Sequence, residues 1–337
     1  MGIKLLELFG GLGSPRKALC NLGYDIHSVD YVEIDEKAVA SYNAIFNENY
    51  QTKNIVDIRG GEYKSVDVLV HGSPCQDFSV AGKGLGGDKG SGTRSSLLYE
   101  TVRIVEEMTE KPKIIIWENV VGLLQKKNIH NFHEYIKALS KLGYTTSYKT
   151  LNARYFKSGQ NRERVFTVSW LLDKPYDFSE LKETGELDIH NILLSNVSSE
   201  YKVTMASLLK KIKGVDDYSG AFRGKIKVID DREKYCNTIT TRQDGCPNSG
   251  IVPLDDGGYR HLTELECWLL QGFDKDDFEK AKSVQTKRGK WYRSLYKQAG
   301  NSICVNVMQG LLKSVLGEFD KNKKDLTKTK TYGIIQP

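Results

Sequence analysis

Three segments of the chain carry side chains that could act together in a chemical reaction. Cys75 follows the apolar run "VDVLV" in the turn "GSPCQDFS", Glu118 follows "IIIW", and "GQNRERVF" carries Arg162 and Arg164. A thiolate is a nucleophile, a buried carboxylic acid is a proton donor, and guanidiniums hold acceptor-rich ligands in a fixed geometry. Free cysteines are more often inert core residues, but those lie in apolar segments, so the turn position of Cys75 favours a nucleophile.

The alternation in "GQNRERVF" places Gln160, Arg162 and Arg164 on one face of a strand, because successive side chains of a strand point to opposite sides. The two guanidiniums on that face could grip one ligand. The alternative interpretation is a solvated edge strand with ordinary salt bridges.

Short apolar runs alternate with helical patterns through the N-terminal half, which predicts parallel βαβ units and a doubly wound α/β sheet. The predicted strands are "IKLLELF", "DIHSVDYV", "VDVLVHG" and "KIIIW", and the predicted helices cover Pro15 to Leu22, Glu36 to Phe46 and Ser95 to Met108. "VDVLV" and "IIIW" have the composition of strands buried on both faces.

The composition changes after this region, and we expect a second, smaller domain. The chain is polar from about Asp173 to Tyr259, with strand-like pieces "KIKVI" and "NTITT". Helical patterns return in "LTELECWLLQGF" and "SICVNVMQGLLKSVL", and a Lys-rich tail from Asp320 is expected to be loose. The predicted organisation is a catalytic domain over 1–172, the smaller domain over 173–259, C-terminal helices over 260–319 and the tail over 320–337.

A glycine loop follows the first predicted strand. Gly11 and Gly13 lie in "FGGLGSPR", and Glu33 comes twenty residues after Gly13, at the end of the second strand, where a carboxylate reaches ribose hydroxyls. A simple strand-to-helix turn is the alternative. The pattern fits nucleosides in general and does not separate a nicotinamide cofactor from S-adenosylmethionine. Arg16 occupies the third glycine position of phosphate-binding loops, which favours a cofactor without pyrophosphate.

A basic, glycine-rich segment, "SVAGKGLGGDKGSGTR", separates Cys75 from the next predicted helix. Its Lys83, Lys89 and Arg94 suggest a lid that closes over a polyanion, and the alternative is a plain surface loop.

Composition limits the remaining possibilities. The chain has 337 residues, a formal net charge of +6 and six cysteines. The cysteines lack any Cys-x-x-Cys pair, so we expect free thiols and neither a zinc site nor disulfides. No signal-peptide pattern or membrane-length apolar run occurs, so we expect a cytoplasmic protein with no membrane association.

Taken in order, the motifs resemble those of the cytosine-5 DNA methyltransferase family over nearly the whole chain. They are "FGGLG", "VEID", Asp57-Ile58, "SPCQ", "ENV", "QNRER", "RHLTELECWLLQGF" and "QAGNSICVNV". The resemblance implies a Rossmann-like methyltransferase fold with a target-recognition domain at 173–259, and S-adenosylmethionine as the cofactor. The implied cofactor-binding residues are Phe9, Gly11, Leu12, Gly13, Glu33, Ile34, Asp57, Ile58, Pro74, Asn301 and Ser302. It also implies that the C-terminal helix packs beside the first strand. Two departures occur, Ser14-Pro15 after the loop and Ile34 where an aromatic residue is common.

The resemblance also implies a mechanism on double-stranded DNA by a monomer, in a bacterium or a phage-infected cell. Cys75 would add to carbon 6 of a flipped-out cytosine, Glu118 would protonate ring nitrogen 3, and Arg164, with Arg162, would hold the exocyclic oxygen. The base that removes the carbon 5 proton is not assigned. The implied DNA contacts are Gln76, Ser79, Lys83, Lys89, Arg94 and Thr238.

Three rival functions are open at this point. A tRNA cytosine methyltransferase shares the chemistry, but the Cys-Phe-Thr element of its eukaryotic members does not occur in the chain. A DNA-binding regulator with an inactive fold would not need Cys75, Glu118 and Arg164 together. A cysteine hydrolase would need a histidine beside the thiol, and His71, the nearest in sequence, precedes the turn and looks structural.

Overall fold

The computed structural model describes residues 2–74, 94–212 and 226–332. Ten strands occur in these ranges: β1 (Ile3–Leu8), β2 (Ile26–Val32), β3 (Val68–His71), β4 (Ile114–Val120), β5 (Thr145–Asn152), β6 (Gln160–Asn161), β7 (Glu163–Trp170), β8 (Cys236–Asn237), β9 (Ile251–Pro253) and β10 (Tyr259–His261). Six of them form the central sheet, in the order β2-β1-β3-β4-β7-β5. The first four are parallel, and β7 runs antiparallel between β4 and β5. The predicted α/β class with a mostly parallel sheet is confirmed.

Helices connect and cover these strands. The described ranges contain α1 (Ser14–Asn21), α2 (Glu36–Phe46), α3 (Leu98–Glu107), α4 (Ile129–Lys141), α5 (Ala206–Ile212), α6 (Glu264–Leu270), α7 (Lys275–Ser283), α8 (Arg293–Asn301) and α9 (Val305–Tyr332). Their starts follow local rules: Pro15 lies in the first turn of α1, Asp35 caps α2, and capping boxes open α6 at Thr263 and α7 at Asp274. None of these helices is long and apolar enough to cross a bilayer.

The central sheet is covered on both faces because its strands are apolar on both sides. Leu5 packs into one apolar cluster with residues of α1 and α9, while its neighbour Leu6 packs into a second cluster with residues of α3 and α4. On β7, Phe166 packs into the first cluster and its neighbour Val165 packs into the second. The predicted doubly wound arrangement therefore follows from continuous hydrophobic strands.

The segment 173–259 contributes to two cores. One part forms a small cluster of its own, made of Val203, Leu208, Ile212, Ile226 and Ile251. Another part, including Ile189 and Ile239, packs into the larger cluster of the catalytic fold. The predicted strands in this segment are shorter than expected. "KIKVI" forms a single β-bridge, between Val228 and Ile251. In "NTITT" only the first residue belongs to a strand, β8. The next residue, Thr238, contacts the neighbouring strand through its side chain, because its hydroxyl donates to the Asn161 carbonyl at 2.8 Å.

The C-terminal tail differs from the expectation of loose chain. The backbone of α9 continues to Tyr332, past the predicted start of the tail at Asp320. The stretch from Glu318 to Tyr332 contains no Gly or Pro, so nothing in its backbone chemistry ends the helix earlier.

Candidate active site

A cavity of about 290 Å³ opens at the carboxyl edge of β1, β2, β3 and β4. This volume lies near the lower end of small-molecule sites, and ligands of open α/β sheets bind at this edge. The cavity brings together most of the predicted site residues, namely Phe9, Gly11, Leu12, Glu33, Ile34, Pro74, Glu118, Arg162, Arg164, Asn301 and Ser302.

The glycine loop is compressed between β1 and α1. Phe9, Gly11 and Gly13 all have positive φ, of 54°, 53° and 76°, and a side chain other than hydrogen at Gly13 would meet the ring of Tyr42 at 2.5 Å. Positive φ in a residue as bulky as Phe9 is strained and concentrates at functional sites. The Tyr31 hydroxyl donates to the Gly11 carbonyl at 2.7 Å and fixes the turn. Gly13 shapes the loop but does not line the cavity.

Glu33 is anchored at the end of β2 by backbone amides. Its carboxylate accepts hydrogen bonds from Gly11 N at 3.1 Å, Ile34 N at 2.8 Å and Asp35 N at 2.9 Å. Burial raises the pKa of Glu33, and these amides act in the opposite direction. The carboxylate is thus held in one orientation on the cavity wall, beside the side chain of Ile34, which is 65% exposed.

The predicted pair Asp57 and Ile58 is not among the residues that line the cavity. Asp57 is exposed, and Ile58 packs against the apolar cluster below α3. The wall comes from Lys53, Asn54 and Ile55 instead. The Asn54 side chain caps the short 3-10 turn Ile55–Asp57, so the residues at the start of the turn face the cavity.

Glu118 and Arg164 form a buried pair inside the cavity. Arg164 Nε lies 3.1 Å from Glu118 Oε1, and Glu118 is only 9% exposed. Burial raises the pKa of Glu118, although the nearby guanidiniums of Arg164 and Arg162 act to lower it. A carboxyl group with a raised pKa donates a proton near neutral pH. The sequence predicted chemical roles for both side chains, and the structure places them in contact.

Arg162 ties three distant segments together. Its buried guanidinium donates to the carbonyls of Ile239 at 3.0 Å, Gly300 at 3.1 Å and Ser302 at 2.8 Å. These contacts hold the "NTITT" segment and the "GNS" segment against the strand that carries Arg164. The geometry supports a positioning role for Arg162 at the cavity wall.

Two side chains of β4 hold the backbone that leads to Cys75. Trp117 Nε1 donates to Ser73 Oγ at 3.0 Å, and Asn119 Nδ2 donates to the Ser73 carbonyl at 3.2 Å. All three residues are buried, and Pro74 follows directly on the cavity wall. Ser73 lies in "GSP" and Asn119 in "ENV", but neither residue was predicted to contribute to the site.

Several predicted residues lie outside the part of the chain that the structure describes. They are Cys75, Gln76, Ser79, Lys83 and Lys89. Arg94 begins the 3-10 turn Arg94–Leu97 that leads into α3, and only its backbone is described. The nucleophile and the basic lid therefore stay predictions.

His71 belongs to the core. His71 Nε2 and the Tyr135 hydroxyl share a hydrogen bond of 2.7 Å, and the imidazole stacks on Trp117. Burial lowers the pKa of His71 to about 3, so the ring is neutral. The expectation that His71 is structural is confirmed, and it gives no support to a cysteine hydrolase. Among the described residues no cluster of metal-ligating side chains occurs, and the five described cysteines are free.

The C-terminal part of the chain completes the cavity. Ser14 Oγ donates to the Ile303 carbonyl at 2.8 Å, α1 packs against α9, and Asn301 and Ser302 lie on the same wall as Phe9. The expected return of the C-terminal helix to the first strand is confirmed. Ser14, one of the two departures from the family pattern, makes the hydrogen bond that fastens it.

Comparisons with known proteins agree with this geometry. The family model described as C-5 cytosine-specific DNA methylase matches residues 3–317. The chain is 36% identical to the type II methyltransferase M2.ScrFI of Lactococcus lactis subsp. cremoris, over 93% of this chain and 99% of that protein. It is 32% identical to the orphan methyltransferase M.SssI of Spiroplasma monobiae, over 84% of this chain and 75% of that protein.

The fold agrees as well. The crystal structure of S. pombe Dnmt2 methyltransferase superposes with a TM-score of 0.75, at 18% identity, over 94% of this chain and 99% of that one. At this identity the likeness shows the fold alone. The family match and the M2.ScrFI identity both extend over almost the whole chain, so the protein belongs to the C-5 cytosine-specific DNA methylase family, whose members are DNA (cytosine-5) methyltransferases.

Proposed function

We propose that this enzyme transfers a methyl group from S-adenosylmethionine to carbon 5 of a cytosine in a specific double-stranded DNA sequence, through a covalent adduct with Cys75. The observation that carries the proposal is the buried pair of Glu118 and Arg164, 3.1 Å apart, in a cavity that also contains Pro74, the residue before Cys75.

The chemistry requires a nucleophile and an acid together. Carbon 5 of cytosine is too poor a nucleophile to attack a methyl sulfonium, so the Cys75 thiolate first forms a bond to carbon 6 and shifts electrons toward carbon 5. Ring nitrogen 3 takes a proton from Glu118 as this charge develops. After methylation the carbon 5 proton leaves to a base, nitrogen 3 returns its proton to Glu118, and the ring double bond re-forms as the bond from carbon 6 to sulfur breaks and releases the Cys75 thiolate.

Glu118 has the surroundings that its role requires. Burial raises the pKa of its carboxyl group and favours the protonated form. The contact with Arg164 fixes the orientation of the carboxyl group, and the guanidinium offers further donors to an exocyclic oxygen. Arg162 positions this strand through its three carbonyl contacts.

The cavity residues fit S-adenosylmethionine. Glu33 presents a fixed carboxylate suited to ribose hydroxyls, Ile34 offers an exposed apolar side chain to adenine, and the strained loop at Phe9 allows close backbone approach. When bound, this cofactor would supply the methyl group.

A cytosine paired in a duplex does not expose its ring to a thiol and a cofactor, so we propose that the base flips out, at a cost of about a few kcal/mol. We assign recognition of the sequence to the segment 173–259. Thr238 and Ile239 join this segment to the active site, because Thr238 donates to Asn161 and Ile239 accepts from Arg162.

A methyl-transfer assay tests the proposal. Unmethylated duplex DNA is incubated with labelled S-adenosylmethionine and then sequenced by a method that reads 5-methylcytosine. We expect modified cytosine at one short sequence, and Glu118→Gln should lower the rate by about 10²-fold or more. Glu134→Gln on α4, an exposed glutamate remote from the cavity, is the matched control. Transfer to adenine, or to RNA but not DNA, would contradict the proposal.

A further inference from the structure

A second cavity, of about 360 Å³, lies beside the recognition segment. It is bounded by Lys202, by the turn that carries Arg242 and Asp244, and by the basic stretch from Lys290 to Arg293 that leads into α8. None of these residues lines the catalytic cavity. Four cationic side chains therefore surround one space, and among the described residues that line it Asp244 is the one carboxylate.

Two of the cations form no ion pair within the part of the chain that the structure describes. Arg293 Nε pairs with Asp244 at 3.1 Å, and Lys202 pairs with Asp256. Arg242 and Lys290 are exposed and have no ion pair with any residue in the described ranges. The cavity thus presents two free positive charges, which favour an anionic ligand.

A neutral donor lies on the same wall. Trp291 Nε1 is buried and has no hydrogen-bond partner among the residues that the structure describes, while the indole packs edge-on against the buried ring of His261 at 5.1 Å. An indole N–H can only donate. The indole N–H, together with the guanidinium and ammonium groups, therefore favours a ligand that offers only hydrogen-bond acceptors.

The two cavities are joined by rigid elements. Arg242 follows Thr241, whose backbone packs so closely on Gly300 that a β-carbon there would lie 2.4 Å from it. Helix α8 runs from Arg293 at the second cavity to Asn301 at the catalytic cavity. At 1.5 Å per residue this is about 12 Å, or about three to four base-pair steps of a duplex.

We propose that this second cavity binds a phosphodiester group of the DNA substrate, a few nucleotides from the target cytosine, through Arg242, Lys290 and Trp291 Nε1. The inference rests on the proposed function and extends it to a new contact. A phosphate offers acceptors alone, which matches the donors of the cavity, and contacts of this kind fix the register of the protein without reading bases.

The test measures binding of a target-site duplex, and of a duplex without the site, over a range of salt concentrations. Arg242→Gln and Lys290→Gln each remove one charge at an exposed position. The slope of log affinity against log salt should fall by about 0.9 per lost contact and by about 1.8 in the double variant. Both duplexes should lose affinity by the same factor, and the methylated sequence should not change. Lys141→Gln on α4, an exposed lysine at neither cavity, should leave the slope unchanged.

A second variant separates the neutral donor from the charges. Trp291→Phe keeps an aromatic ring against His261 and removes the N–H, together with some ring volume but no charge, so it should weaken binding several-fold without changing the salt slope. A thermal unfolding curve close to that of the parent verifies that the variant is folded. Unchanged affinity in folded Trp291→Phe would contradict the assigned N–H contact.

Two results would overturn the proposal. The first is a salt slope of the double variant that equals the slope of Lys141→Gln. The second is a variant that no longer discriminates between bases at one position of the target site, which would show that the cavity residues read a base. Both are distinct from failure of the proposed function. If the parent methylates DNA but the double variant keeps the parent's salt slope, only the phosphate contact is refuted. If the parent methylates no DNA, the proposed function itself is refuted.

Discussion

At the residue scale, Glu7 is a buried acid directly below the glycine loop. It is fully buried on β1, accepts a hydrogen bond from the Tyr42 hydroxyl at 2.8 Å, and lies close to Arg16, which donates to the same hydroxyl at 3.1 Å. Burial raises the pKa of Glu7 to about 7. The base of the glycine loop therefore contains a carboxyl group that is largely protonated below neutral pH.

The raised pKa predicts how stability depends on pH. Between the ordinary value of 4.5 and about 7 the folded protein holds a proton that the unfolded chain has lost. This contribution to stability is fully present below pH 4.5 and is lost as the pH rises through about 7. In Glu7→Gln the amide is always neutral and its oxygen still accepts from Tyr42. The variant should therefore gain up to about 3 kcal/mol relative to the parent as the pH rises.

Urea unfolding of parent and variant between about pH 5 and pH 8 measures this difference. Subtracting the two curves cancels the other titrating groups. A difference that stays constant across the range would show that Glu7 does not titrate as its burial predicts.

Residues that act at strand ends were easier to predict from the sequence than residues that act by positioning other residues. Glu118 follows an apolar run, so its position at the edge of the sheet could be predicted, whereas Cys75 lies outside the described residues and its position stays a prediction. The roles of Ser73 and Asn119 could not be predicted, because they depend on how β3 and β4 pair. Arg162 was predicted to grip a ligand, but in the structure its guanidinium donates to carbonyls 77 to 140 positions away in the chain. No local pattern reports such contacts.

At the element scale, buried strands and helices were easier to predict from the sequence than elements at the edge of the sheet. The bounds predicted for α2 match those in the structure, and β1 to β4 were found from their apolar runs. The edge strand β5 was missed because its residues are largely polar and Tyr148 is 49% exposed. The helix α4 was missed although Asn128, a residue type favoured at helix starts, precedes it, and in the structure the Asn128 side chain donates to the Gly122 carbonyl at 2.8 Å instead of capping the helix.

The junction of α8 with the recognition segment gives a prediction at this scale. A β-carbon at Gly300 would lie 2.4 Å from the backbone of Thr240 and Thr241. Gly300→Ala should therefore destabilise the protein by about 1–3 kcal/mol, despite the higher helix propensity of alanine, and should reduce methylation. The control is Gly317→Ala in α9, where the new methyl group meets nothing within 4 Å and should be neutral or stabilising.

Denaturant unfolding and the methylation assay on both variants provide the measurement. If Gly300→Ala were as stable and as active as Gly317→Ala, the close contact between α8 and the recognition segment would not exist in the working enzyme.

At the scale of the whole molecule, the active site is assembled from distant parts of one chain. Phe9 and Glu33 come from the first two strands, Glu118 and Arg164 from the middle of the sheet, and Asn301 from the C-terminal helices. The resemblance to the family predicted that both ends of the chain meet at one cavity. The hydrogen bonds that hold them there, from Ser14 to Ile303 and from Arg162 to three carbonyls, became visible only with the fold.

The covalent role of Cys75 is the central claim, and trapping on DNA with 5-fluorocytosine at the target position tests it most directly. After methyl transfer the fluorine cannot leave as a proton does, so the enzyme should remain bound to carbon 6. We predict an adduct that requires S-adenosylmethionine, survives denaturing electrophoresis, forms slowly in Glu118→Gln and is absent in Cys75→Ala. Cys20→Ala, which removes an exposed cysteine, should be trapped like the parent. An adduct in Cys75→Ala, or methylation by that variant near the parent's rate, would contradict the mechanism.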